Sequence, residues 1–111
     1  MQIVTTERDG ITVISLTGRM DATTVASFDE AWRTCLDNGA RRIVVDLGGV
    51  EYISSAGLRG ILSRLKASKA AKGGLAFCNV GQMVAEVFRI SGFTSMLAVF
   101  PGLDEALASL A

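Results

Sequence analysis

Two adjacent hydroxyls, Ser54 and Ser55, stand in the stretch VEYISSAGLRGIL, between an apolar run and the first turn of a helical pattern. Serines so placed can attack a substrate, accept a phosphoryl group or cap a helix. Attack requires a base within hydrogen-bond reach, and the chain has no histidine and no G-x-S-x-G elbow. The missing histidine also removes Ser-His-Asp triads, His-ligated zinc and imidazole acid-base catalysis. Cys35 and Cys78 lack C-x-x-C spacing, so they read as core thiols in a reducing compartment. The expectation is a protein with no catalytic residues, metal or cofactor of its own, and not an enzyme.

Two uses of the serines remain. Ser54 is a plausible N-cap for a helix starting at about Ser55, a bond of roughly 1 kcal/mol. Ser55 is then surplus to capping, and at the first helical position it projects outward. A phosphate there would sit at the positive end of the helix dipole. On spacing alone, capping is the simpler reading and modification the second.

Two carboxylates accompany them. Asp21 lies in TGRMDATT and Asp46 in DLGGVEYISSAG, both read as loops beyond the carboxyl ends of parallel strands, where sites gather in open α/β sheets. Asp21, Ser54 and Ser55 are thereby expected on one edge. Asp46 could hold a cation or accept from backbone amides in the loop after it, the commoner use. DLGGV lacks G-x-x-x-x-G-K-[ST], so its glycines read as turn formers rather than a phosphate cradle.

The elements that must position these groups follow from periodicity. Alternation in QIVTTERDGITVISLTG gives two strands, around Ile3 to Thr5 and Ile11 to Leu16, joined at Asp9-Gly10, a hairpin signal. Val25, Phe28, Trp32, Cys35 and Leu36 recur at helical spacing, with Asp21, Thr23 or Thr24 as N-cap and Gly39 as stop. Ile43 to Val45 form an unbroken apolar run, as in a strand buried on both faces. Leu58, Ile61, Leu62 and Leu65 line the next helix, which Gly73-Gly74 ends. LAFCNV is a strand, and GQMVAEVFRISG a helix with Val84, Val87 and Phe88 inward and Gly92 at its end. MLAVFPG is a short strand, and LDEALASLA a closing helix with acids in its first turn. The order ββαβαβαβα predicts an α/β fold with a four- to five-stranded mixed sheet, an N-terminal hairpin and about four helices.

At 111 residues the chain has room for one core, a single domain over residues 1–111. Eleven basic residues balance eleven acidic ones, so nothing in the total recruits nucleic acid or an anionic membrane. No window approaches the ~18 apolar residues of a membrane helix, so a cytoplasmic location without direct membrane insertion is expected.

LTGRMDATT, RRIVVDLGGVEYISSAGLRGIL, GGLAFCNVGQMVAEVFRISGF and VFPGLDEALASL together resemble, from end to end, the STAS domain shared by bacterial anti-sigma factor antagonists and sulfate transporters. In the antagonist branch the resemblance implies binding to an anti-sigma factor that is also a serine kinase. The unphosphorylated antagonist frees the sigma factor, phosphorylation breaks the complex, and a serine phosphatase restores it. The family motif Asp-Ser-Ser/Thr/Ala-Gly-Leu, laid on this chain, puts the phosphorylated serine at Ser55. Ser54 stands where many switching members have an acid, and Ala56 where they have Ser or Thr. Asp21 matches the family's Gly-x-Leu-Asp aspartate and Gly57 the glycine after the serines. The implied partner-binding set is Asp21, Ser54, Ser55, Ala56, Gly57 and Arg59. Two other readings are open: a STAS subunit of a membrane transporter, and a signalling module binding a nucleotide around Asp21, Asp46 and Ser54.

Overall fold

Asp9 and Gly10 both take positive φ, 54° and 80°, the conformation of a two-residue hairpin turn whose twist matches its strands. In the computed structural model, which describes residues 1–111, that turn joins β1 (Gln2–Arg8) to β2 (Ile11–Met20) as an antiparallel pair. There follow α1 (Val25–Asp37), β3 (Arg42–Ile53), α2 (Ser55–Ala70), β4 (Gly74–Cys78) and α3 (Gln82–Ile90). A 3₁₀ turn at Phe93–Ser95, β5 (Val99–Phe100) and α4 (Leu103–Leu110) complete the chain. The sheet order is β1-β2-β3-β4-β5, with every pair after the first parallel. The α/β class, the mixed five-stranded sheet, the hairpin and the four helices agree with the sequence reading.

Ile43, Val44 and Val45 are at most 1% exposed, because each face of β3 is covered. Ile43, Val45 and Leu47 join Ile14, Leu16 and Phe77 under Phe28 and Trp32 of α1, Ile61 and Leu65 of α2, and Val84 and Phe88 of α3. Val44 packs on the other face with Val13, Ala76, Cys78 and Ala106 of α4. Trp32 is a core residue, meeting Phe28 edge to face at 6.4 Å.

Three expectations are corrected. TGRM and DLGGVEYI are not loops: β2 continues to Met20 and β3 to Ile53. The two extensions pair through bulges, the partner stepping from Asp46 to Gly49 between Ser15 and Thr17, and from Val50 to Tyr52 between Gly18 and Arg19. Gly49 therefore serves close strand approach rather than a turn, since a Cβ on it would lie 2.6 Å from Thr17 Oγ1 and 2.9 Å from the Leu16 carbonyl. The residue that leaves α2 in the left-handed region is Lys72, φ 57°, not a glycine. Gly73 is small for another reason: a Cβ there would meet the Arg41 carbonyl at 2.5 Å.

Candidate partner-binding surface

The carboxyl ends of β2 and β3 are tied together where α2 begins. The Ser54 amide donates to the Met20 carbonyl at 2.9 Å, and the Leu58 amide to the Ser54 carbonyl at 2.9 Å. Ser54 is extended (φ −93°, ψ 175°), and its hydroxyl accepts from the Gly57 amide at 3.2 Å, an N-cap as the sequence suggested. Gly57 lets the first turn lie directly on the strand end. A Cβ there would stand 2.7 Å from the Met20 carbonyl oxygen and 2.8 Å from Ile53 Cγ1.

With Ser54 occupied, Ser55 is the first helical residue and is exposed, as is Arg59 one turn on. Residues four apart on a helix share a face. An exposed hydroxyl thus sits at the positive end of α2 with a guanidinium on the same face. Ala56 is half-buried and Gly57 buried, so they shape this surface rather than present functional groups.

Asp21 occupies the β2–α1 turn on the same edge, as expected. Its Oδ1 accepts from the Thr23 hydroxyl at 2.7 Å and the Thr23 amide at 2.9 Å. These bonds favour the charged form and hold the carboxyl below its ordinary value, the hydroxyl contributing most. Of the three N-cap candidates for α1, Thr24 has the cap position but makes no side-chain cap bond. Its hydroxyl instead accepts from the Asp21 amide at 2.9 Å and donates to the Arg19 carbonyl at 2.7 Å, closing the turn.

Asp46 does not join this edge. It lies within β3, opposite Ser15 and Cys78, and its Oδ1 accepts from the Gly48 amide at 2.8 Å. That is the backbone use foreseen, made in a bulged strand rather than a loop. At ~3.3 Å per residue along a strand, Asp46 is on the order of 20 Å from Ser54. The nucleotide reading required these groups together, and the fold separates them.

Arg19 and Tyr52 escaped the sequence reading. The second bulge makes them register partners, and the Arg19 guanidinium lies over the Tyr52 ring at 4.1 Å, with Arg19 Nε 3.8 Å from Asp21 Oδ2. The available signal was the apolar periodicity of Val50 and Ile53, which carries a strand through Tyr52. Together the edge presents a fixed carboxylate, a cation on an aromatic ring and an exposed hydroxyl.

The STAS domain family model matches residues 2–106. BtrV of Bordetella bronchiseptica, provisionally named an anti-sigma factor antagonist, is 35% identical over 98% of this chain and 94% of its own length. A crystal structure of an anti-sigma factor antagonist from Mycobacterium paratuberculosis superimposes with a TM-score of 0.84 at 22% identity, covering 98% of this chain and 92% of that one. The Bacillus cell fate determinant SpoIIAA in its phosphorylated form does so at 0.74 and 19%, covering 99% and 100%. A family match over residues 2–106, with a relative 35% identical along almost the whole length, makes the chain a member of the STAS domain family.

Proposed function

We propose that the chain is an anti-sigma factor antagonist working in the cytoplasm by partner switching. Through the edge formed by Asp21, Ser54, Ser55, Ala56, Gly57 and Arg59 it binds an anti-sigma factor that is also a serine kinase, and so releases a sigma factor to transcription. Phosphorylation of Ser55 ends the complex, and a serine phosphatase restores it. The observation that carries this reading is the division of labour between the two serines: Ser54 is spent on the Gly57 amide while Ser55 is exposed on the first turn of α2. The name of BtrV, the relative 35% identical, supports it, and SpoIIAA, which shares the fold, exists in a phosphorylated form.

The physics of the switch is local. A phosphoserine adds about −1.5 to −2 charges to a surface that must come into close contact with a partner. Since Ser54 rather than Ser55 caps α2, the modification leaves the helix intact, and repulsion with desolvation acts on the complex alone. The test is binding of wild-type, Ser55→Ala and Ser55→Asp protein to an anti-sigma kinase captured from its cells. Ser55→Ala is expected to bind and resist phosphorylation while Ser55→Asp binds at least tenfold more weakly. Equal binding by all three would end the switch reading.

A further inference from the structure

The sheet has two edges, and they are treated differently. β5 is two residues long and runs into Pro101, a short edge unable to template a long pairing. β1 is seven residues long and pairs with β2 without a bulge, Gln2 through Arg8. Six of its residues are exposed, Ile3 is half-buried, and Ile3 to Thr6 carry no charge, lysine or proline. None of the usual devices that blunt an edge strand is present along that stretch.

The hairpin determines which backbone groups are free. The two-residue turn makes Arg8 and Ile11 a hydrogen-bonded pair, and the ladder alternates from there. Gln2, Val4, Thr6 and Arg8 therefore turn their amides and carbonyls towards β2, while Ile3, Thr5 and Glu7 turn theirs outward. Two copies joined edge to edge by a two-fold axis perpendicular to the sheet must run antiparallel. The register that uses all three outward residues sets Thr5 opposite Thr5 of the second copy, and Ile3 opposite Glu7. It makes about six hydrogen bonds across the axis.

Side chains agree with that register. No like charges are opposed, since Glu7 faces Ile3 and Arg8 faces Gln2. Val4, 58% exposed in the single chain, comes beside Thr6 of the second copy in a non-hydrogen-bonded pair, a β-branched contact favoured in sheets. On the face that α1 covers, a cleft of about 420 Å³ lies between Thr5 and Glu7 of β1 and Cys35 and Asn38 of α1, and the exposure of six of the seven β1 residues leaves the edge uncovered. We infer that β1 is a self-pairing interface: two copies join through Gln2–Arg8, centred on Thr5, into one continuous ten-stranded sheet. Ser55 lies on α2, after β3, two strands in from this edge.

Sedimentation velocity over a concentration series tests this on the intact chain. Wild-type protein should pass from monomer to dimer as concentration rises. Thr5→Pro removes an amide that faces solvent in the single chain, a place where an edge strand tolerates proline. It should weaken dimerisation at least tenfold while leaving the far-UV circular dichroism unchanged. A wild-type chain that stays monomeric throughout, or a folded Thr5→Pro chain that dimerises equally, would overturn the interface.

The register has its own test, independent of the proline variant. In the proposed pairing Val4 and Thr6 of the second copy have Cα atoms about 4.5 Å apart, within disulfide range, whereas Val4 and Val4 are offset. Mixing Val4→Cys with Thr6→Cys protein under mild oxidation should give a disulfide-linked dimer in several-fold excess over either variant alone. Equal yields in the three samples would rule out the register.

Discussion

The Ser54 hydroxyl holds the Gly57 amide at 3.2 Å, and that bond assigns different work to two neighbouring serines. Replacing Ser54 by Ala leaves an orphan amide in the first turn of α2 and should cost about 1 kcal/mol in urea unfolding. Ser54→Asp supplies another cap acceptor, at the end of the helix where negative charge is favoured, and should stay within about 0.5 kcal/mol of wild type. Ser55→Ala, lacking a cap to lose, should be the mildest of the three.

Gly57→Ala should be the costly substitution on this edge. Its Cβ would press on the Met20 carbonyl at 2.7 Å, and a strand backbone anchored by the Ser54 amide cannot retreat. Overpacking of this kind costs about 1–3 kcal/mol, read as a lower urea midpoint with an unchanged slope.

Arg19→Ala separates binding from stability. The guanidinium stacks on Tyr52 in a half-open setting, 4.1 Å from the ring centroid, so its loss should change stability by no more than about 1 kcal/mol. If this edge docks the anti-sigma factor, affinity should fall severalfold in a titration against that partner. An Arg19→Ala protein binding as wild type would place the contact elsewhere.

Cys78 is fully buried, and burial, reinforced by the negative charges of Asp46 and Glu105, pushes its thiol up to about 11. In the unfolded chain the same thiol ionises near 8.5. The folded state therefore keeps its proton while the unfolded state releases one, and stability falls as pH rises from about 8.5 to about 11. Cys78→Ala should flatten that part of the curve of melting temperature against pH, and alkylation of native protein at pH 7 should label Cys78 slowly.

Asp21 has the opposite sign. The Thr23 hydroxyl and amide hold its carboxyl below the ordinary value, so the stabilisation it gives is complete above about pH 4 and is lost as pH falls through the lower folded value. Asp21→Asn should lower stability slightly at pH 7 and by less at pH 3. Chemical denaturation at the two pH values measures the difference.

Much of this was legible from residue types and periods alone. The Asp9-Gly10 turn, the double-sided burial of Ile43 to Val45, the inward stripes of the helices and the Ser54 cap each rest on local rules that tertiary context reinforced. Shared placement of Asp21 and Ser54 on one sheet edge followed from strand direction. What local rules could not reveal was non-local. Gly48 and Gly49 read as a turn because glycine permits one, and only the neighbouring β2 decides that Gly49 instead lets the bulged β3 lie against Thr17. The continued strand keeps Asp46 away from the site, and a second bulge, between Gly18 and Arg19, brings Tyr52 under Arg19. Lys72 took the left-handed position beside a glycine better suited to it because Gly73 was needed against the Arg41 carbonyl. The sequence by itself determined which residues could cap, pack or accept a phosphate. Pairing between strands distant in the chain decided which of them share a surface, since a bulge is a property of two strands and is written in neither alone.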